Sequence, residues 1–220
     1  MSRGGRCDKR PGASGRSGLR LWSRFLHKIG AVTHDARCKI AFIGSHGVGK
    51  TTLAFGLASR LKARDVSLEV VHEVARRCPL PINEETSVAA QSWILHTQVA
   101  EELVAAARYP VVLCDRSVLD NYVYLLLAAG EREPLATLVG HWMATYQVLV
   151  HVPIIGRLQP DGIRAADPAF QQLVEERLER ELDRRGLTPL RLDPEAREGW
   201  LDAAEAAAWD LLRPAQLQLL

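Results

Sequence analysis

Five short apolar runs punctuate the chain: Lys39–Ile43, Ser67–His72, Pro110–Cys114, Gln147–Val152 and Leu190–Leu192. Runs of this length, bounded by polar or turn-forming residues, suit strands buried on both faces. Between them, apolar positions recur at three- and four-residue spacing over 50–64, 84–108, 118–129, 134–144 and 168–186, with a last such stretch over 199–211. That spacing sets one apolar stripe along each helix. Strands that alternate with helices need crossover connections. The pattern therefore predicts an α/β fold of three layers, with a mainly parallel five-stranded sheet between two layers of helices. Pro79-Leu80-Pro81 and Pro153-Ile154-Ile155-Gly156 mark loops, and Gly186 ends a helix.

Residues 1–37 do not share this pattern. Arg3, Arg6, Lys9, Arg10, Arg16, Arg20, Arg24 and Lys28 are interspersed with Gly and Ser, and Asp8 is the only acid before Asp35. Such a stretch buries too little apolar surface to order itself, so a disordered basic extension is expected ahead of a domain over 38–220. Leu19–Ile29 also has the spacing of a short basic amphipathic helix. Organelle-targeting peptides and arms that bind phosphate or membrane surfaces share that pattern.

A length of 220 residues suits one domain with a sizeable core. The formal net charge of +2 is too small to argue for a nucleic-acid or membrane partner. No apolar stretch approaches the ~20 residues of a membrane-spanning helix. Cys7, Cys38, Cys78 and Cys114 lie far apart without a CxxC pair, as expected of reduced thiols in a cytoplasmic protein.

Chemistry enters at Gly44-Ser45-His46-Gly47-Val48-Gly49-Lys50-Thr51, a complete G-x-x-x-x-G-K-[ST] phosphate-binding turn. The strand Ile40–Ile43 leads in and a helical stretch from Thr51 leads out, which is the strand–loop–helix setting the motif requires. Gly44, Gly47 and Gly49 let successive N–H groups, with those of Ser45, His46 and Val48, converge on phosphate oxygens. The helix that starts there adds its positive end. Lys50 supplies a mobile charge to the β- and γ-phosphates of ATP, Thr51 offers a hydroxyl to Mg²⁺, and Thr52 can reach the α-phosphate. His46 is expected to be exposed and non-catalytic. Val111-Val112-Leu113-Cys114-Asp115 is an apolar strand ending in a carboxylate, the second element expected beside Mg²⁺. Arg116 follows where motor-type ATPases place a Glu. A guanidinium there suits a second anion or the transferring phosphoryl group.

Asp115-Arg116-Ser117-Val118-Leu119-Asp120-Asn121-Tyr122 resembles the Asp-Arg-Ser segment of small-molecule P-loop kinases. His72-Glu73-Val74-Ala75-Arg76-Arg77 resembles their Glu-x-x-Arg element. Pro160-Asp161-Gly162-Ile163-Arg164, with Phe170–Val174 after it, is similar to the Asp-Asp-Gly-Leu-Arg stretch and next helix of ribosylnicotinamide kinase domains. No adenylyltransferase His-x-Gly-His motif occurs. The resemblance implies an ATP-dependent kinase acting on a small nucleoside-like or ribosyl hydroxyl acceptor. It also implies a closing lid at about 154–167, whose Arg157 and Arg164 neutralise phosphate charge. Glu73, at the end of the second strand, is the expected base, with Asp115 on the metal; the reverse assignment stays open. A solvated Glu73 that pairs with Arg76 or Arg77 is the structural alternative. In the 84–108 helix, Gln98 and Trp93 can read and stack an acceptor base, although Trp93, Ile94, Val99 and Leu103 also fit a core-facing stripe. Arg177, Arg180, Glu176, Glu179 and Asp183 suit a solvent-facing helix laced with weak pairs. Two other functions fit the turn: a kinase for polynucleotide 5′-hydroxyls, and a nucleotide-gated regulatory ATPase without a small-molecule acceptor.

Overall fold

In a computed structural model, which describes residues 38–82, 86–156 and 167–212, each of the five apolar runs forms a strand. These are β1 (Cys38–Ile43), β2 (Leu68–Val71), β3 (Val111–Asp115), β4 (Val148–His151) and β5 (Leu190–Arg191). They pair in the order β2-β3-β1-β4-β5, every neighbour parallel. Six α-helices cover the sheet among the described residues: α1 (Lys50–Lys62), α2 (Val88–Arg108), α3 (Val118–Ala129), α4 (Glu133–Met143), α5 (Pro168–Arg184) and α6 (Trp200–Leu212). The expectations for 1–37, for 84–85 and for most of the lid with Arg157 and Arg164 fall outside the described residues. The helix predicted over 84–108 starts only at Val88, because the Ser87 side chain caps it by accepting from Ala90 N.

Alternation along the strands sorts the core into two halves. Ile40, Phe42, Val111 and Leu113 face α1 and α6, where Leu57, Leu61, Trp200 and Ala204 are buried. Ala41, Ile43, Val112 and Cys114 face the other way, against buried residues of α2 to α5 such as Leu95, Val123, Val139 and Leu178. A strand buried on both faces reads as a continuous apolar run, which is why β1 and β3 stand out in the sequence. β2 and β5 are edge strands with one neighbour each, and regular pairing stops short of the predicted ends. No helix among the described residues is long and apolar enough to cross a membrane.

β1 lies between β3 and β4, with Phe42 in register with Asp115 and Ile43 with His151. The loops that leave the carboxyl ends of β1 and β3 are therefore neighbours. In open parallel sheets, such carboxyl ends, where strand order reverses, form the crevice that takes ligands.

Candidate active site

The chain leaves β1 through Gly44 at φ 138°, and a Cβ built there would lie 2.5 Å from the backbone oxygen of Val152. Only glycine fits both that angle and that contact. Gly49, at φ 100°, is the N-cap of α1. The first main-chain bond in α1 from this end is donated by Leu53 N–H to Gly49 O, 3.1 Å. The amides of Lys50, Thr51 and Thr52 precede it and are the donors a helix start leaves for an anion.

Lys50 crosses the loop from the first turn of α1. Its Nζ donates to Gly44 O at 2.8 Å and to Ser45 O, and the side chain is almost wholly buried. Burial, then the nearby Arg116 charge, lowers its pKa from 10.5 to about 7, against the pull of Asp120, Glu73 and Asp115. Thr51 Oγ1 donates to Asp115 Oδ2 at 2.6 Å. A hydroxyl and a carboxylate side by side are hard oxygen donors that fit Mg²⁺. Thr52 is exposed, and Val48 joins the core.

The outer side of the loop is gripped by side chains from distant elements. Gly44 N–H donates to Asp120 Oδ1 and Ser45 N–H to Glu175 Oε2, each at 3.0 Å. Ser45 Oγ donates to Gln171 O at 2.8 Å, and Gln171 Nε2 donates to His46 O at 2.7 Å. The N–H groups of Gly44 and Ser45 thus already have carboxylate partners. His46 is not exposed, contrary to the sequence expectation. Its Nδ1 lies 3.2 Å from the Tyr124 hydroxyl and its ring 5.8 Å from Phe170, and it is 4% exposed. Glu175 also bonds His151, and Glu179 nearby is held by both Nη atoms of Arg191. His151, Glu175, Glu179 and Arg191 thus form a polar net that seats α5 on β4 and β5.

Glu73 follows β2 and is buried rather than solvated. Its Oε1 accepts from Arg116 Nε at 2.8 Å and its Oε2 from Arg76 Nε at 2.7 Å. Arg77, the other partner considered, turns instead to Glu101. Arg116 is buried at φ 102° and its guanidinium lies 5.6 Å from the Tyr124 ring centroid. Burial works against its charge, but Glu73, then Tyr124, Asp120 and Asp115, more than offset that and raise its pKa. Its Nη1 has no partner among the described residues. Asp120, which sequence reasoning passed over, ties the two loops together. Its Oδ2 accepts from Ser117 N and Ser117 Oγ at 2.9 and 2.7 Å, while Oδ1 holds the phosphate turn. The Ser117-x-x-Asp120 spacing of a capping box was the available signal.

A cleft of about 670 Å³ opens beside this group. Thr51, Asp115 and Glu73 line it at the site, and Val70, Glu101 and Arg108 are among the residues along the free edge of β2. Gln98, expected to read an acceptor, is wholly buried and donates to Glu102 and to Arg116 O. Trp93 is half-buried and belongs to neither core cluster.

Residues 39–198 match the family described as AAA domain. The chain belongs to that family. This AAA-domain chain has a fold similar to the NadR protein in complex with NR, with a TM-score of 0.61 and 19% identity over 89% of this chain and 61% of that one. It is also similar to deoxyadenosine kinase from M. mycoides with bound dATP, with a TM-score of 0.53 and 14% identity over 77% of this chain and 97% of that one. At these identities the likeness shows the fold alone, and the AAA-domain chain spans less than two thirds of the NadR chain. No curated protein sequence matches it. The family and both folds agree with the P-loop, kinase-like resemblance seen in the sequence.

Proposed function

We propose that this protein transfers the γ-phosphoryl group of Mg-ATP to a hydroxyl of a small nucleoside-like or ribosyl acceptor. The observation that carries the reading is the buried Glu73–Arg116 pair beside Thr51–Asp115 at one end of an open cleft. Phosphoryl transfer asks a protein mainly to position reactants and spread charge. A carboxylate held between two guanidiniums beside a cleft of about 670 Å³ can take the proton of a substrate hydroxyl bound there.

In the proposed reaction the acceptor oxygen attacks the γ-phosphorus, the bond to the β–γ bridging oxygen breaks, and ADP leaves. The acceptor proton goes to Glu73. Oε1 of Glu73 accepts from Arg116 and Oε2 from Arg76, so the carboxylate that would take that proton is held in place by two guanidiniums. Lys50, already poised over the loop, serves the β- and γ-oxygens, and Arg116 keeps Nη1 hydrogens for the transferring group. Thr51 and Asp115 would hold Mg²⁺, which when bound would offset the negative charge of the triphosphate. The sequence alone assigns Arg157 and Arg164 to the lid. The described cleft lining has Arg76, Arg77 and Arg108 against Glu69, Glu73, Glu101 and Asp115. With no surplus of positive charge, it favours a neutral acceptor over a phosphorylated one.

The family description favours a second reading, a nucleotide-gated ATPase that passes the phosphoryl group to water. A panel of nucleosides and vitamin ribosides, assayed for acceptor-stimulated ADP release, separates the two. Transfer predicts a rise in ADP with one acceptor class. A rate that no acceptor changes refutes it.

A further inference from the structure

Next to the Arg116 turn lies a wholly buried polar cluster to which the proposed reaction gives no role. Its centre is Glu102 on α2, which is 0% exposed. Four donors converge on this carboxylate. Lys39 Nζ and Trp142 Nε1 donate to Oε2, each at 2.7 Å. Tyr146 OH donates to Oε1 at 2.7 Å and Gln98 Nε2 at 2.8 Å. Lys39 is itself buried on β1, with Nζ 4.6 Å from the Trp142 ring centroid and 4.5 Å from that of Tyr146. An ion pair this deep is weak evidence for stability, because apolar residues of equal volume often serve as well. What the cluster does must be sought elsewhere.

The cluster's role lies in where the two Oε1 donors continue. The second hydrogen of Gln98 Nε2 goes to Arg116 O at 3.2 Å. The Tyr146 hydroxyl accepts Val118 N–H at 3.1 Å. Burial, then the adjoining Glu102 carboxylate, holds the Tyr146 phenol well above its usual range, so its proton stays on the oxygen facing Glu102. Gln98 has only one orientation that works, since turning its amide over would set Oε1 against two acceptors. Glu102 therefore grips the main chain on both sides of Ser117, while Asp120 binds Ser117 itself. Arg116, whose carbonyl is held on one side of that grip, has φ 102°. A non-glycine residue stays in that region only where its surroundings over-determine it. With β3 fixed before it and its carbonyl held after it, Arg116 cannot leave this φ without swinging Cβ and drawing Nε away from Glu73.

We propose that Glu102, acting through Gln98 and Tyr146, is a positioning residue that locks the Arg116 backbone and so sets its guanidinium on Glu73. A carboxylate is required because a glutamine there has one oxygen for four donors. The placement stands on geometry, and only its kinetic consequence rests on the transfer reading above.

Removing Glu102 would strand the Lys39 charge, so the test uses Gln98→Met and Tyr146→Phe in the full chain. Each leaves the Lys39–Glu102 pair in place. Two readouts are compared with wild type: amide hydrogen exchange at Ser117 and Val118, and kinetics in a double-mutant cycle with Arg116→Ala. Loss of a buried bond to this turn should speed exchange at these amides about tenfold, with β1 amides unchanged. Turnover at saturating acceptor should fall about tenfold while Mg-ATP affinity stays within about twofold, and Gln98→Met should add no further loss to Arg116→Ala. Unchanged exchange at Ser117 and Val118 overturns the proposal, as does an equal loss of turnover in both backgrounds. If wild type turns over no acceptor, the transfer reading fails, and exchange still decides whether the turn is locked. Should Gln98→Met not fold, Tyr146→Phe supplies both readouts.

Discussion

Mg-ATP binding above neutral pH should draw a proton from solvent, and Lys50 should be the group that takes it. With its pKa lowered to about 7 by burial and by Arg116, the free protein at roughly pH 8.5 would hold Lys50 about 97% neutral, by ordinary titration from that value. A triphosphate brought against Nζ restores the charged form, because an opposite charge within a few ångströms favours it. Uptake should therefore approach about one proton at roughly pH 8.5, about one half near pH 7, and about one tenth at roughly pH 6. Calorimetric titration in buffers of different ionisation enthalpy reads this number from the slope of heat against buffer enthalpy. The Lys50→Met variant subtracts every other group. The same shift has a stability consequence whose sign is fixed. Between pH about 7 and 10.5 the unfolded chain binds the proton that the folded one lacks. The nucleotide-free protein thus gains stability as pH rises through that window, at up to about 1.4 kcal/mol per pH unit. No uptake near pH 8.5, or the same uptake in Lys50→Met, would refute the reasoning.

Other substitutions separate the parts of the site. Glu73→Gln should lower acceptor-dependent turnover by about 10²–10⁴ with Mg-ATP affinity near wild type, and a loss below about tenfold would return Glu73 to a structural role. Thr51→Val removes the hydroxyl that meets Asp115; it should weaken triphosphate binding about tenfold in the presence of Mg²⁺ and little in its absence. Gly44→Ala places a methyl 2.5 Å from Val152 O at a φ of 138°. Thermal unfolding should show a loss of about 3 kcal/mol, since backbone strain and a clash that cannot relax combine there.

Local features of this molecule were legible in its sequence, and pairings across it were not. β1 and β3 showed as apolar runs because both faces are buried. The phosphate turn showed because its glycines, Lys50 and Thr51 must stand at fixed offsets for one main-chain shape. Asp115 could be joined to Thr51 because both elements end at the same edge of a parallel sheet. The partners of Glu73 needed more. Arg116 lies 43 residues away and reaches it only because β2 and β3 pair. His46 read as exposed because what covers it, Tyr124 and Gln171, lies 78 and 125 residues further along. Gln98 read as a ligand-facing amide because its helix has polar residues around more than one side, and nothing local shows that Glu102, four positions on, is fully buried. A buried charge has the same local pattern as a solvated one until its partner is known.

The fate of the γ-phosphoryl group tests the central claim most directly. With label on that phosphate and an acceptor that stimulates turnover, wild type should place the label on the acceptor in amounts equal to the ADP formed, and Lys50→Ala should place none. Label found only in inorganic phosphate, at the same rate with and without acceptor, would contradict the account.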